Sequence, residues 1–226
     1  GWQQAYAPVS SARVLESAQA TDTAQLAALC DGVQCSLDLQ AGPLLRAVTA
    51  NSITLWLATS RPVQMQLSLL PDKGETQRFT ALQMQQYSQS VRCAGKLWLQ
   101  LIHIPLQQTL PQGCWIGYDL QLAGKTNSVQ PHWQGWQQWA ADLVYPGRDS
   151  PGFVLQPKLS KLLHGSCRKP HFNADDGLLA ADQYLQQHTA GQWPALLLMS
   201  GDQIYADDVA APMLKAIHQL IGALGT

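Results

Sequence analysis

The sequence PALLLMSGDQIYADD at residues 194–208 decides the fold of the last third of the chain, together with LSKLLHGSCRK at residues 159–169. Each stretch contains consecutive leucines, at 162–163 and at 196–198, and ends in residues that can bind a metal ion. Short apolar runs followed by glycine are typical of buried strands. We therefore predict two buried strands, each leading into a loop with metal-binding side chains.

The segment between them, residues 176–186 (DGLLAADQYLQ), has apolar side chains at helical spacing: Leu178, Ala181, Tyr184 and Leu185. A strand, a helix and a second strand form a parallel unit, whose crossover is nearly always right-handed. The carboxyl ends of both strands then lie at one sheet edge, where ligands bind in open α/β sheets. Since neighbouring strands run about 4.8 Å apart, we expect Cys167, Asp202 and Tyr205 within a few ångströms of one another.

These residues also carry a family resemblance. SCRK at 166–169, followed by GDQIY at 201–205, resembles the start of the catalytic domain of the PhoD-like alkaline phosphatases, a branch of the metallophosphoesterases. The resemblance covers roughly residues 40–226 and implies metal-dependent hydrolysis of a small phosphoester substrate. It implies Cys167, Asp202 and Tyr205 as ligands of iron and calcium ions, with Asp202 bridging the ions.

The resemblance also guides the choice of catalytic and substrate-binding residues. Asp202 is the principal catalytic candidate, and Arg168 can donate charge-assisted hydrogen bonds to a substrate phosphate. His171 lies on the same loop as Cys167 and could face the pocket. Sulfur and phenolate ligands together favour a ferric-type ion over magnesium, and calcium suits oxygen donors such as Asp202.

One departure from the family pattern bears on the metal site. The family's asparagine and histidine ligands follow in a later part of the catalytic domain, and neither an Asn-His pair nor a Gly-x-His motif follows Asp208 here. We therefore expect the 226-residue chain to hold about half of the metal site. The site should be empty or weakly filled, and the chain alone inactive or nearly so.

Each candidate also has a purely structural interpretation. Cys167 could be an inert buried thiol, Asp202 a helix cap and Tyr205 a packing residue. Arg168 and Lys169 could be solvated loop residues. We expect His164 to be a core or sheet-face residue, Asp207 and Asp208 to be first-turn helix acids, and Asp175 and Asp176 to cap the crossover helix.

From residue 44 to residue 122 the apolar pattern changes to period two. Short alternating runs are separated by turn signals at Arg61-Pro62, at residues 71–74 and at residues 111–113. This is typical of an antiparallel β-sandwich. We predict that its interior contains Leu55, Leu67, Leu99, Ile116 and Leu120.

The predicted fold class is α+β, with an antiparallel β-sandwich of immunoglobulin or fibronectin type followed by the first βαβ unit of a metallophosphoesterase α/β sandwich. The boundaries are an arm with a short helix at 1–40, the sandwich at 41–124, a tryptophan-rich linker at 125–157 and the α/β unit at 158–226. A helix is expected after Thr21. The tryptophans of the linker, at helical spacing, fit packing between domains better than a sugar platform.

Composition limits the partners. The net charge of −1 and the scattered Lys and Arg residues argue against nucleic acid, and no apolar run has the length of a membrane span. Five cysteines do not indicate a disulfide framework. Reduced thiols favour a cytoplasmic location, whereas a disulfide between Cys93 and Cys114 would fit a periplasmic or secreted protein after signal removal.

Two other functions stay open at this point. The chain could be a non-catalytic β-sandwich binding module whose trailing segment keeps the motifs, or a phosphodiesterase of the same fold. Because two parallel strands cannot bury both faces of a sheet, residues 162–163 and 196–199 should need a partner chain, through self-association, or stay partly exposed.

Overall fold

The structure is a computed structural model that describes residues 39–124, 131–139, 141–169, 175–203, 205 and 209–225. The predicted arm and helix before Leu39 lie outside these residues. The strands are β1 (Leu39–Val48), β2 (Ser52–Thr59), β3 (Val63–Pro71), β4 (Gln77–Phe79), β5 (Ser88–Ala94), β6 (Leu97–Pro105), β7 (Trp115–Gly124), β8 (Gly152–Val154), β9 (Leu162–Ser166) and β10 (Leu196–Ser200). The helices are α1 (Ala81–Tyr87), α2 (Trp136–Trp139), α3 (Gly177–Gln187) and α4 (Ala211–Leu224), with short 3-10 turns at Ala141–Leu143 and Ala190–Gln192.

Two four-stranded antiparallel sheets share one hydrophobic core, which is compatible with the predicted sandwich. Their strand orders are β1-β2-β6-β5 and β4-β3-β7-β8. Alternate residues of the inner strands are buried in this core because side chains along a strand point to opposite faces: Ile53, Leu55, Leu57, Met65, Leu67, Leu69, Ile116, Leu120 and Leu122. The overall class is therefore α+β, with mostly antiparallel sheets and few helices.

The prediction that Leu99 lies in the core is wrong. In β6 the buried residues are Gln100, Ile102 and Ile104, whereas Leu99 is only half-buried and Leu101 is exposed. The register with β2 explains this, since Ile102 pairs with the buried Leu55 and Ile104 with Ile53. Both faces of β6 are apolar, so the alternation by itself did not identify the inward face.

The predicted linker also contributes to the second sheet. Strand β8 pairs with β7 through Ile116 and Phe153, and the Phe153 side chain is buried in the core. Trp139 of α2 packs against the same core, in keeping with the packing interpretation of the tryptophans.

The predicted βαβ unit is present. Strands β9 and β10 pair in parallel, from Leu196 opposite Leu162 to Ser200 opposite Ser166, and α3 connects them. The expected exposure is also confirmed, because Leu162 and three successive β10 leucines are about half-exposed: Leu196, Leu197 and Leu198. Helix α4 follows, and its last turn bonds to the turn between β5 and β6, with Lys96 N donating to Leu224 O at 2.7 Å.

An aromatic junction joins the βαβ unit to the second sheet. The rings of Trp115, Tyr145 and Trp193 meet edge to face, with centroids 5.5–6.2 Å apart. Beside them, the Tyr145 hydroxyl donates to Asp182 of α3 at 2.6 Å. The Gln156 side chain donates to the carbonyls of Ala190 and Trp193. Such aromatic pairs stabilise packing beyond the area they bury, so this junction positions α3.

Three cysteines lie in the described ranges, and all are free thiols. Cys93 and Cys167 are exposed, and Cys114 is buried. The alternative disulfide between Cys93 and Cys114 is therefore not formed. No helix in the described part of the chain is long and apolar enough to cross a membrane.

The assignment of the buried face predicts the effect of shortening a β2 side chain. Leu55→Ala should lower the free energy of unfolding by about 2–5 kcal/mol, because it leaves a cavity in the core. The control Leu101→Ala makes the same chemical change at a side chain that is 43% exposed and should cost below about 0.5 kcal/mol. Urea unfolding of both variants is the measurement, and equal losses would contradict this assignment of faces.

Candidate functional site

Strands β9 and β10 end at the same level, and the backbone turns sharply after each of them. Ser166 pairs with Ser200, and the Cys167 N–H donates to the Ser200 carbonyl at 3.2 Å. The next residues both have left-handed backbones, with φ of 55° at Cys167 and 66° at Gly201. Few non-glycine residues adopt this conformation, which tends to persist where surrounding structure enforces it and often marks functional positions.

Glycine at 201 is also required for space. A Cβ atom at this position would lie 2.7 Å from Cys167 Sγ and 2.8 Å from Ser166 Oγ. Gly201 therefore lets the second strand end pass directly beside the cysteine sulfur.

The sulfur of Cys167 is the meeting point of the site. It has hydrogen-bonding contacts with the Ser166 side chain, the Tyr205 side chain and the Asp202 backbone N–H. These three contacts, in that order, lower the pKa of the Cys167 thiol, against the smaller opposing effects of desolvation and the Asp202 charge. Cys167 thus lies close to Tyr205 and to Asp202, which approaches the sulfur through its backbone N–H.

Two basic residues follow the cysteine, and both have specific contacts. Arg168 donates to Asp176 from Nε to Oδ1 at 3.1 Å and from the terminal nitrogen to Oδ2 at 2.6 Å. The Lys169 ammonium lies 5.9 Å from the centroid of the Tyr205 ring, within range of a cation–π interaction. Neither residue is therefore simply a solvated loop charge.

A cavity of about 860 Å³ opens between α3 and the two-stranded sheet of β9 and β10. Its polar end contains Cys167, Arg168, Lys169, Asp175, Asp176 and Tyr205, and its apolar wall contains Leu163, Leu178, Ala181, Tyr184, Leu197 and Met199. This combination of an apolar wall and a few convergent polar groups is typical of small-molecule sites.

The remaining candidates are His164 and Asp176, which line the same cavity, and three residues outside the described ranges. His164 is an exposed residue of β9, a sheet-face position as expected, with Nε2 2.7 Å from Ser200 Oγ. His171, Asp207 and Asp208 fall outside the described residues, so their predicted roles stay predictions. Asp176 caps α3 as predicted, since its side chain accepts from the Leu178 N–H.

Sequence reasoning missed the pairing of Asp176 with Arg168. The N-cap position of Asp176 was recognisable, but no local pattern connects it with a guanidinium eight residues earlier. Both side chains are partly buried, with 18% of Asp176 and 33% of Arg168 exposed. The contact arises because the loop after β9 and the start of α3 are brought together by the sheet.

The donor set for a metal ion is a sulfur, a carboxylate and a phenol. Within the part of the chain that the structure describes, no group of three or more His, Cys, Asp and Glu side chains could hold one ion. Tyr205 could supply a third donor beside Cys167 and Asp202, and these residue types would suit the ferric and calcium ions that the resemblance implies.

Gly201→Ala should disturb the sulfur. The new Cβ would clash with Cys167, so we expect a several-fold change in the rate at which iodoacetamide labels Cys167, read by peptide mass spectrometry. Gly113→Ala is the matched control, because Gly113 has φ of 68° and no atom within 4 Å of an added Cβ. Both variants bear the left-handed penalty of about 1–2 kcal/mol. Unchanged labelling in Gly201→Ala would contradict the close approach.

The ion pair predicts a pH-dependent contribution to stability. Its hydrogen bonds from Arg168 lower the pKa of Asp176 below the ordinary 3.8. The pair therefore stabilises the fold above that ordinary value, and its contribution is lost as the pH falls through the lowered one. Asp176→Asn keeps the cap but should cost on the order of 1 kcal/mol or less at pH 7, because the pair is partly exposed.

Thermal unfolding midpoints from pH 2 to pH 7 check this expectation. The difference between wild type and Asp176→Asn should shrink toward pH 2. Asp72→Asn, which breaks the more exposed pair of Asp72 with Arg148, is the control and should have the smaller effect. A difference that stays constant with pH would contradict the assignment.

A comparison with known protein families and with curated proteins finds no match to this chain. Function is therefore inferred from the geometry around Cys167 and from the residues that line the adjacent cavity.

Proposed function

We propose that this chain provides the sandwich and three metal ligands, Cys167, Asp202 and Tyr205, of a PhoD-like metallophosphoesterase, which hydrolyses phosphoesters. The observation that supports this most is the meeting of Cys167, Asp202 and Tyr205 at one edge of a parallel sheet. The order of the two motifs, SCRK at 166–169 before GDQIY at 201–205, is the order in the family that the chain resembles. The two antiparallel sheets are compatible with the immunoglobulin or fibronectin type of sandwich that precedes such a catalytic domain.

Cys167, Asp202 and Tyr205 would hold the metal. A hydrogen bond joins the thiol to the Tyr205 side chain, so these two donors already lie side by side. The lowered pKa of the Cys167 thiol favours the thiolate, which is the form that binds metal. When bound, the ions neutralise phosphoryl charge and make a nucleophile available near neutral pH.

The other residues bind and orient the substrate. Arg168 donates N–H groups to the phosphoryl oxygens, and a guanidinium suits their geometry. Water attacks phosphorus in line with the leaving alkoxide, which departs with a proton. The apolar wall of the cavity, with Leu197, Met199 and Tyr184, accommodates the alcohol portion and limits the access of other water.

Metal binding by the 226-residue chain is the first test. Three donors leave other positions of a six-coordinate ion to water, so we expect weak binding of ferric ion, with visible absorption from thiolate and phenolate. Cys167→Ala and Tyr205→Phe should each reduce that absorption. Cys93→Ala removes another exposed thiol and should leave it unchanged. Absorption that persists in both site variants would contradict the assignment of ligands.

Turnover is the second test. A protein that contains this sequence and supplies the remaining ligands should hydrolyse 4-nitrophenyl phosphate or bis(4-nitrophenyl) phosphate with iron and calcium present. Asp202→Ala should lower kcat at least a hundredfold because a metal ligand is lost, whereas Asp149→Ala, at an exposed loop residue, should not. The two substrates distinguish a monoesterase from a diesterase.

The opposite results identify the alternatives. Undiminished turnover in a folded Asp202→Ala variant would remove Asp202 from the mechanism. No hydrolysis of either substrate with any added metal would favour a non-catalytic binding module. Circular dichroism of each variant establishes that the fold is retained.

A further inference from the structure

Arg168 is held by a carboxylate that belongs to helix α3 rather than to its own loop. Its Nε and one terminal nitrogen meet the two oxygens of Asp176 at 3.1 and 2.6 Å. This two-point contact fixes the plane of the guanidinium as well as its position. A single-point contact would leave the group free to rotate.

Asp176 is itself fixed by the start of the helix. Its Oδ1 accepts the Leu178 N–H at 3.0 Å, and its carbonyl accepts the Leu179 N–H at 3.0 Å. Side chain and backbone of this residue are therefore both part of the first turn of α3. Arg168 takes its position from that turn.

The middle and the C-terminal end of α3 are anchored to the rest of the molecule. Asp182 accepts from the Tyr145 hydroxyl at 2.6 Å, and the Trp193 indole donates to the Leu185 carbonyl at 2.9 Å. Trp193 and Tyr145 belong to the aromatic junction with Trp115 of β7. A continuous set of contacts thus runs from the second antiparallel sheet through α3 to Arg168.

Arg168 keeps donors for a ligand. A guanidinium has five N–H bonds, and Asp176 takes two of them, which leaves three that Asp176 does not engage. Arg168 and Cys167 line the same cavity. The held guanidinium therefore faces the cavity that the sulfur at the strand ends also lines.

We propose that Asp176 is a positioning residue, which holds Arg168 in the orientation that binds phosphoryl oxygens beside Cys167. The catalytic meaning of this role rests on the proposed phosphoesterase function, whereas anion binding by Arg168 can be measured without it. Preorganisation is the physical reason, since a side chain already fixed loses less conformational entropy when the ligand binds.

Four variants separate positioning from capping and from charge. Asp176→Asn and Asp176→Ser keep a side chain that caps the helix but lose the two-point contact with Arg168. Arg168→Lys keeps the charge but loses the planar fork, and Arg168→Ala removes both. Asp72→Asn serves as control, because it breaks the pair with Arg148 outside the cavity.

The first readout is the Nε–H signal of Arg168 in nitrogen-15 NMR spectra of the 226-residue chain, assigned by its loss in Arg168→Lys. We expect one signal that exchanges slowly with water in wild type and in Asp72→Asn. It should broaden or exchange rapidly in Asp176→Asn and Asp176→Ser. A slow signal that survives both Asp176 changes would overturn the proposal.

The second readout is the affinity for inorganic phosphate, measured by calorimetry at a temperature where every variant is folded. Asp176→Asn and Asp176→Ser should bind about tenfold more weakly than wild type, and Arg168→Ala at least as weakly. Equal or tighter phosphate binding in the Asp176 variants would show that the carboxylate only competes with the anion, and would overturn the proposal. Absence of phosphate binding by wild type would overturn it as well.

Turnover, measured as in the test of the proposed function, separates the two hypotheses. If the Asp176 variants lose the slow signal and the phosphate affinity but no form hydrolyses a phosphoester, the phosphoesterase function fails and the positioning role stands. If wild type hydrolyses phosphoesters and Asp176→Asn retains wild-type KM and kcat, positioning fails and the function stands. Positioning for catalysis predicts that Asp176→Asn and Asp176→Ser each have a raised KM or a lowered kcat, although both keep the helix cap.

Discussion

The site depends on the in-register parallel pairing of two five-residue strands. Because Ser166 lies opposite Ser200, strands β9 and β10 end at the same level. The backbone then turns at the very next residue, Cys167 after β9 and Gly201 after β10. Only a residue without a Cβ fits at 201 beside the cysteine sulfur. The pairing therefore brings the Asp202 backbone and the Tyr205 side chain to one sulfur atom, which neither loop could do alone.

A two-stranded parallel sheet is a poor foundation for a precise site. Parallel sheets are stable chiefly when both faces are covered, yet the β10 leucines stay about half-exposed. Support comes from α3, which is anchored at one end by the aromatic junction of Trp115, Tyr145 and Trp193. At its other end the same helix holds Arg168 through Asp176. The antiparallel sheets thus contribute to the site through packing, although none of the described residues that line the cavity belongs to them.

Most strands could be predicted from the sequence, and the exceptions have physical causes. The run of β3 alternates between apolar and polar residues up to Leu69, and β2 has Ile53, Leu55 and Leu57 at every second position, so their buried faces were assigned correctly. In β6 apolar residues occupy both faces, and only the pairing of Ile102 with Leu55 decides which face is inside. Strand β8 is three residues long and follows several turn-forming residues, so it has too little pattern to be recognised.

For the candidate site, the sequence by itself determined which residues end the two strands and that an aspartate caps the start of α3. Those are local properties, set by strand periodicity, by glycine and by capping preferences over a few residues. Tertiary structure alone decided which atoms meet: Ser166, Tyr205 and the Asp202 N–H around one sulfur, and Asp176 on Arg168. Such contacts join residues that are distant in the chain or separated by a loop, and their geometry exists only once the strands pair and the helix packs beside them.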